Sequence, residues 1–261
     1  MKKLVLNSPA KLNLYLNVLG KRSDGFHEIE TIFERISLSD QISLRLNSTG
    51  VIRIKCLAQD VPTGPKNLAY QAASLLKKDF SLKDGVEISI KKNIPVGSGL
   101  GGASSNAAAT LWGLNRLWHL NLSPRQLTSY ARRLGSDVPF FLSGYRFALG
   151  RGRGDELKAL KGLGRLWHLV VFSNTRVLTR GIYQGLDLKL THSTSSFGKL
   201  RTSPERSRGT LSVNPASHRV LRNQMCSARG ERKVEGLMVR HSSGSTSSPF
   251  ALSERSESKD S

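Results

Sequence analysis

Residues Pro95 to Ala107 read P-V-G-S-G-L-G-G-A-S-S-N-A, and few stretches restrict a chain's conformation so tightly. Four glycines, Gly97, Gly99, Gly101 and Gly102, fall within six positions. Glycine reaches positive φ at little cost and lets the backbone approach a ligand with no Cβ in the way. Ser104, Ser105 and Asn106 then open a helix, whose first amides lack intrahelical acceptors and whose dipole favours an anion. The spacing predicts a strand-to-helix turn that cradles phosphate. Its contact surface is Pro95, Val96, Gly97, Ser98, Gly99, Leu100, Gly101, Gly102, Ala103, Ser104 and Ser105. An ordinary turn is the competing reading of the same glycines.

The kind of phosphate loop follows from what is missing. A Walker loop places Lys before Ser or Thr to reach the β- and γ-phosphates, and no Lys follows Gly102 before the helix. Gly97, Gly99 and Gly102 satisfy G-x-G-x-x-G, but a dinucleotide site also wants an acid about 20 residues on to hold the ribose. Between Glu87 and Asp137 there is no carboxylate. A Rossmann loop also comes early in its unit, whereas this one follows several strand-like runs.

A chain of 261 residues can bury the core of an enzyme. Its two cysteines, Cys56 and Cys226, support neither a disulfide framework nor a zinc site, which fits a reducing cytoplasm. The apolar run Leu4 to Leu6 is too short for a signal segment, and nowhere do 18 apolar residues adjoin, so no membrane is expected. The net charge of +21 raises nucleic acid as a rival partner. However, 12 of the 40 Lys and Arg and 6 of the 19 acids lie from Thr191 onward, leaving +6 there and +15 before it. The charge is dispersed, and no interleaved aromatics make a base-stacking platform, so nucleic acid is disfavoured. Small polyanionic substrates gain from the same field.

Strands are expected at Leu4 to Asn7, Leu12 to Leu19, Thr31 to Leu38, Gln41 to Leu46, Val51 to Cys56, Val86 to Ile90, Phe140 to Leu149 and Trp167 to Phe172. Helical periodicity marks Leu68 to Phe80 after a cap at Asn67, Ala107 to Leu117, and Pro124 to Leu134 capped by Ser123. Gly150 to Glu156 reads as a strand end and turn. This order suggests an α+β sandwich with one mixed or antiparallel sheet. Beyond about Leu190, Ser, Arg, Gly and Pro dominate and no period persists, so much of Thr191 to Ser261 is expected to be poorly ordered.

Three segments converge on one family. Pro9 to Glu28 contains P-A-K-L-N-L-Y-L-N-V-L-G-K-R-S-D-G-F-H-E; the glycine loop is the second segment; Leu134 to Leu142, L-G-S-D-V-P-F-F-L, is the third. Together they resemble the 4-diphosphocytidyl-2-C-methyl-D-erythritol kinases of the GHMP kinase superfamily, over roughly residues 1 to 190. The resemblance implies an N-terminal ATP-binding domain of the ribosomal protein S5 domain 2-like type over 1–157. A ferredoxin-like second domain would begin at 158–190 and degenerate in an atypical tail, 191–261. It further implies ATP-dependent phosphorylation of the 2-hydroxyl of a cytidine diphosphate substrate, with Mg²⁺ on the nucleotide phosphates. Asp137 would be the base and Lys11 the cation beside the transferring group. Asn13 shares Lys11's strand face. His27 would contact the cytosine edge, Phe26, where Tyr is usual, would stack on it, and Tyr183 would supply the opposing ring. Asn67 matches a position near the nucleotide. Ser104 or Ser105 could help place Mg²⁺, but no dedicated metal ligands are identified.

The resemblance fails near the C-terminus, where the family carries a third glycine-rich motif of the type S-G-S-G-P-T. Only His241 to Leu252, H-S-S-G-S-T-S-S-P-F-A-L, is similar to it. Phe197 to Gly209 and Pro249 to Asp260 look like translated genomic repeat, as a frame disruption near residue 190 would produce. Three readings stay open: an active kinase, an inactive remnant that still binds ATP, and a basic nucleic-acid-binding module. The oligomeric state is not legible.

Overall fold

The computed structural model describes residues 3–164, 166–173, 234–240 and 249–250. Two long strands, β1 (Lys3–Lys21) and β2 (His27–Asn47), form its backbone as an antiparallel hairpin. Four of the expected strands are thus halves of two. Pro9, which cannot donate to a ladder, sits at a register shift between Pro9 and Lys11 that bends β1 without ending it.

The other edge of β2 is shared. Residues Thr31 to Glu34 pair with β5 (Phe147–Arg151), and Gln41 to Asn47 pair with β4 (Gly85–Lys91). The sheet therefore forks along β2 between Arg35 and Asp40, opposite Lys11. β3 (Ile52–Cys56) lies parallel to β4 and β6 (Glu156–Ala159) antiparallel to β5, so the sheet is mixed, in the order β3-β4-β2-β5-β6 with β1 on β2.

Helices α1 (Leu68–Asp79), α2 (Gly102–Leu117), α3 (Pro124–Leu134) and α4 (Val138–Leu142) cover one face. Asn67 caps α1 by accepting from the Ala69 amide, and Ser123 with Gln126 makes a capping box on α3 ahead of Pro124. The main core joins Leu6, Phe33, Ile42 and Leu44 of the hairpin to Ala72, Leu76, Ala108, Leu111 and Leu114 of α1 and α2. α2 lies almost on the sheet because Gly113 leaves room; a Cβ there would meet Leu44 Cδ1 at 2.4 Å.

Phe140 to Leu149 is not one strand. Its first part is α4, with Pro139 in the opening turn, and only Phe147 onward joins the sheet. Ser143-Gly144 marks the break as a turn signal, but the apolar triplet before it is too short to show a period, and Phe140 and Phe141 are fully buried as helix residues.

On the opposite face lie β7 (Trp167–Ser173) and β8 (Val234–Arg240), an antiparallel pair. Val170 packs against Ala10, Ile36, Ile94 and Leu100. β8 is a strand within the stretch expected to lack periodicity. No helix among the described residues is long and apolar enough to cross a membrane.

Candidate active site

The glycine segment leaves β4 at Lys91 and enters α2 at Gly102, five residues earlier than the periodicity alone predicts. Gly97, Gly99 and Gly101 each take φ 75°, the left-handed region that favours glycine. Gly102 differs from the expectation, since it is helical. Its place is tight, a Cβ there meeting Lys92 Nζ at 3.0 Å and Ile94 Cγ2 at 3.2 Å.

Gly101 is the N-cap of α2 and supplies no side-chain cap. The Ser105 amide is the first to bond back, to Gly101 O (2.9 Å), so the amides of Gly102, Ala103 and Ser104 precede the helical ladder. This is the geometry that accepts an anion. Ser105 itself is buried and its Oγ accepts from Ser8 Oγ (2.7 Å), which removes it from the expected role beside a metal. Ser104 is only half-buried.

Asp40, fully buried at the fork, fixes the loop's entry. It accepts from Lys92 Nζ (2.5 Å), the amides of Asn93 and Ile94 (both 2.8 Å) and Asn106 Nδ2 (3.1 Å). One carboxylate thus ties β2, the exit from β4 and α2 together, and saturating it with donors offsets the cost of burying its charge. The far end is tied by the Lys11 amide, which donates to Leu100 O (2.9 Å).

The side chain of Lys11, 7% exposed, runs beneath this loop. Its Nζ donates to Asn13 Oδ1 (2.5 Å) and stands 3.6 Å from Asp137 Oδ2 and 5.6 Å from the centre of the Phe33 ring. Asn13 in turn donates to Thr31 Oγ1 (2.7 Å), which donates to Tyr15 O (2.7 Å). Asp137 is the N-cap residue of α4, makes no side-chain cap bond, and keeps about a third of its side chain in solvent.

α4 is wedged against both partners. The Phe140 ring stacks on Phe33 at 4.8 Å, and Phe141 reaches the loop, 3.0 Å from where a Cβ on Gly101 would stand. Lys11 Cγ lies 3.1 Å from the same point. Lys11, Asn13, Asp137 and the loop are therefore brought together, although 126 positions separate the cation from the carboxylate.

The remaining candidates lie elsewhere. Phe26 is half-exposed, its ring under the Arg153 guanidinium at 4.7 Å, and its amide donates to Asp24 Oδ1 (3.1 Å). His27 opens β2 opposite Lys21, at the end of the hairpin remote from the fork. Asn67 has both ends of its amide engaged, accepting from Ala69 and donating to Pro62 O (2.7 Å). Tyr183 and most of His241 to Leu252 lie outside the described residues. Among the described residues no three His, Cys, Asp or Glu side chains gather as a metal site. Residue patterns missed Arg35, Asp40 and Phe141: Arg35 adjoins Glu34, Asp40 falls between two expected strands, and Phe141 lies in an apolar triplet, so none carries a local signal.

The model of the GHMP kinases N terminal domain matches residues 67–145. A 4-diphosphocytidyl-2-C-methyl-D-erythritol kinase of Alkaliphilus metalliredigens is 44% identical over 188 residues, covering 72% of this chain and 64% of that protein. The enzyme of that name from Citrifermentans bemidjiense is 46% identical over 188 residues, covering 72% and 67%. A crystal structure of a 4-(cytidine 5'-diphospho)-2C-methyl-D-erythritol kinase superposes with TM-score 0.60 at 40% identity, covering 69% of this chain and 63% of that one. Homoserine kinase from Cytophaga hutchinsonii shares the fold, with TM-score 0.55 at 21% identity over 70% of this chain and 60% of that one. The matched part spans about two thirds of the length of these curated relatives.

Proposed function

The chain belongs to the 4-diphosphocytidyl-2-C-methyl-D-erythritol kinase family, and from that premise we propose that it transfers the γ-phosphoryl group of ATP to the 2-hydroxyl of 4-diphosphocytidyl-2-C-methyl-D-erythritol, a step toward isoprenoid precursors. The observation that carries this reading is the Lys11–Asp137 pair, 3.6 Å apart, beside the loop that opens α2.

Phosphoryl transfer demands little covalent chemistry of the protein, so positioning and charge stabilisation dominate. The amides of Gly102 to Ser104 receive phosphate oxygens. Asp137, partly in solvent and not spent on a cap, takes the proton of the acceptor hydroxyl as that oxygen attacks the γ-phosphorus and the bond to the β,γ-bridging oxygen breaks, ADP leaving. Lys11 offers its ammonium to the charge on the transferring group, while Asn13 accepts from that ammonium and holds it. Mg²⁺, carried on the β- and γ-phosphates, would neutralise their charge, and Ser104 is the hydroxyl best suited to meet it.

His27 and Phe26 are assigned to the cytosine end, with the Arg153–Phe26 stack as its floor and Tyr183 as the opposing ring. Asn67 is kept as a nucleotide-side residue acting through the cap of α1. β7 and β8 are read as what the chain retains of a ferredoxin-like second domain. A cytoplasmic location belongs to the same proposal. Nucleic acid is not proposed as a partner, because the basic charge is dispersed along the chain, and some of it is engaged in local pairs, as in Arg22 with Asp24 and Glu28, Arg45 and Lys55 with Glu87, and Arg133 with Asp79.

The test is incubation of the full chain with ATP, Mg²⁺ and the diphosphocytidyl substrate, followed by mass spectrometry. A product heavier by one phosphoryl group is expected. ATP binding by calorimetry without that product would reassign the chain to a nucleotide-binding remnant.

A further inference from the structure

Pro249 and Phe250 fall in the stretch that only partly matches the family's third glycine-rich motif, yet Phe250 is 1% exposed and sits in the main core, its ring 6.0 Å from that of Trp112 on α2. Pro249 lies against Gly144, just past α4, with its Cβ 3.8 Å from where a Cβ on that glycine would stand. The Pro249 carbonyl accepts from Arg35 Nη1 (2.5 Å). Nη2 of the same guanidinium donates to Phe141 O (2.9 Å) and, at longer reach, to Phe140 O (3.4 Å). These carbonyls belong to the short helix whose N-cap is Asp137, and in a helix this short they have no downstream amide to serve.

Arg35 is buried, and burial pushes its pKa down to about 10, so it remains a cation near neutral pH. No carboxylate pairs with it among the described residues, and its Nε has no acceptor there. A buried cation held by carbonyls and by the face of the Phe140 ring, 5.8 Å from its centre, is sensitive to losing any of those carbonyls, because the stranded donor cannot recover its lost hydration. Arg35 is also the cross-strand partner of Lys11. One guanidinium therefore connects the strand position opposite Lys11 to the helix that presents Asp137.

We propose that Pro249 and Phe250 form a plug that locks Arg35 onto α4, and that Arg35 is thereby a positioning residue for Asp137. The inference rests on Asp137 acting as the base. Two residues of the C-terminal stretch thus finish the N-terminal core and hold the carboxylate at its distance from Lys11.

Phe250→Ala in the full chain, compared with Leu76→Ala under α1, tests it. Both variants should lower Tm by several degrees, roughly 5 °C or more. Only Phe250→Ala should also lower kcat about tenfold with KM for ATP within about twofold, since the carboxylate is displaced and the loop is not. It should also speed hydrogen exchange at the Ser143 amide, which bonds Pro139 O at the end of α4 (2.9 Å). Arg35→Lys, which keeps the charge and loses the fork, should reproduce that split and serves if Phe250→Ala does not fold. Phe250→Ala or Arg35→Lys behaving like Leu76→Ala in both readouts would overturn the proposal. If the unsubstituted chain shows no turnover, the kinase reading fails, and Ser143 exchange alone decides the plug.

Discussion

Two glycine-rich turns in this molecule share a composition and differ in what their backbones are free to do. In Pro95 to Gly102, three glycines at φ 75° lead into a helix whose first amides precede the ladder, with Lys11 beneath. In Gly150 to Gly154, Gly152 and Gly154 also take positive φ, 66° and 94°. There, however, the Gly152 amide donates to Glu28 Oε1 (3.1 Å), the Gly154 amide to Arg151 O (2.9 Å), and Gly152 O accepts from Ile29 (2.8 Å). Arg151 leans on Glu30 (3.0 Å), Arg153 approaches Asp155 (3.7 Å), and the chain continues as a strand. Glycine density sets the dihedral angles. An anion site also needs amides that the fold has not already consumed, and a helix to follow them.

The largest expected effect lies at the first turn's catalytic neighbour. Asp137→Asn should cut turnover by about a thousandfold while ATP affinity stays within a few fold, because the base is lost and the cradle kept. Turnover within tenfold would remove Asp137 as the base. Next is Gly101→Ala, which forces a left-handed φ on a residue with a Cβ and drives that Cβ toward Phe141 and Lys11. Strain of about 1–3 kcal/mol should weaken ATP binding roughly 10- to 100-fold by calorimetry.

Gly152→Ala sharpens the contrast. It meets comparable strain, with Glu156 Oε1 at 3.2 Å, and should lower stability to urea by about 1–2 kcal/mol with ATP affinity within twofold. Equal losses of affinity at the two glycines would abolish the distinction between the turns.

The smallest effect concerns a charge buried on the sheet's other face. Glu34 is fully buried, and His168 Nε2 lies 2.6 Å from its Oε2. Burial raises the Glu34 carboxyl above its ordinary 4.5, with the nearby His168 and Arg146 opposing. The folded state then holds that proton more tightly than the unfolded chain. Its contribution to stability therefore falls as pH rises from 4.5 through the raised value. Glu34→Gln should flatten that part of the Tm-versus-pH curve and leave ATP affinity unchanged; an unaltered slope would assign the effect to other groups.

What the sequence made legible was local. Asn67 and Ser123 announce their helices because a cap acts within three residues, and the glycine loop is readable because φ preference is a property of single residues. β6 was missed because E-L-K-A is too short to show a period, and α4 because burial on both sides hides helix from strand. The placement of Lys11 beside Asp137 has no signature in spacing; it was implied by the family resemblance and arises from the fork in the sheet. Arg35 and Asp40 stayed silent, since a charged residue in a strand ordinarily faces solvent.

The central claim is that the nucleotide's terminal phosphates meet the amides that open α2, beside Lys11. A crystal structure of the full chain with a non-hydrolysable ATP analogue tests this directly. Phosphate oxygens are predicted about 3 Å from the amides of Gly102 to Ser104, with Lys11 Nζ the nearest ammonium. Phosphates seated instead on Arg151 and Arg153 at the second glycine-rich turn would contradict it.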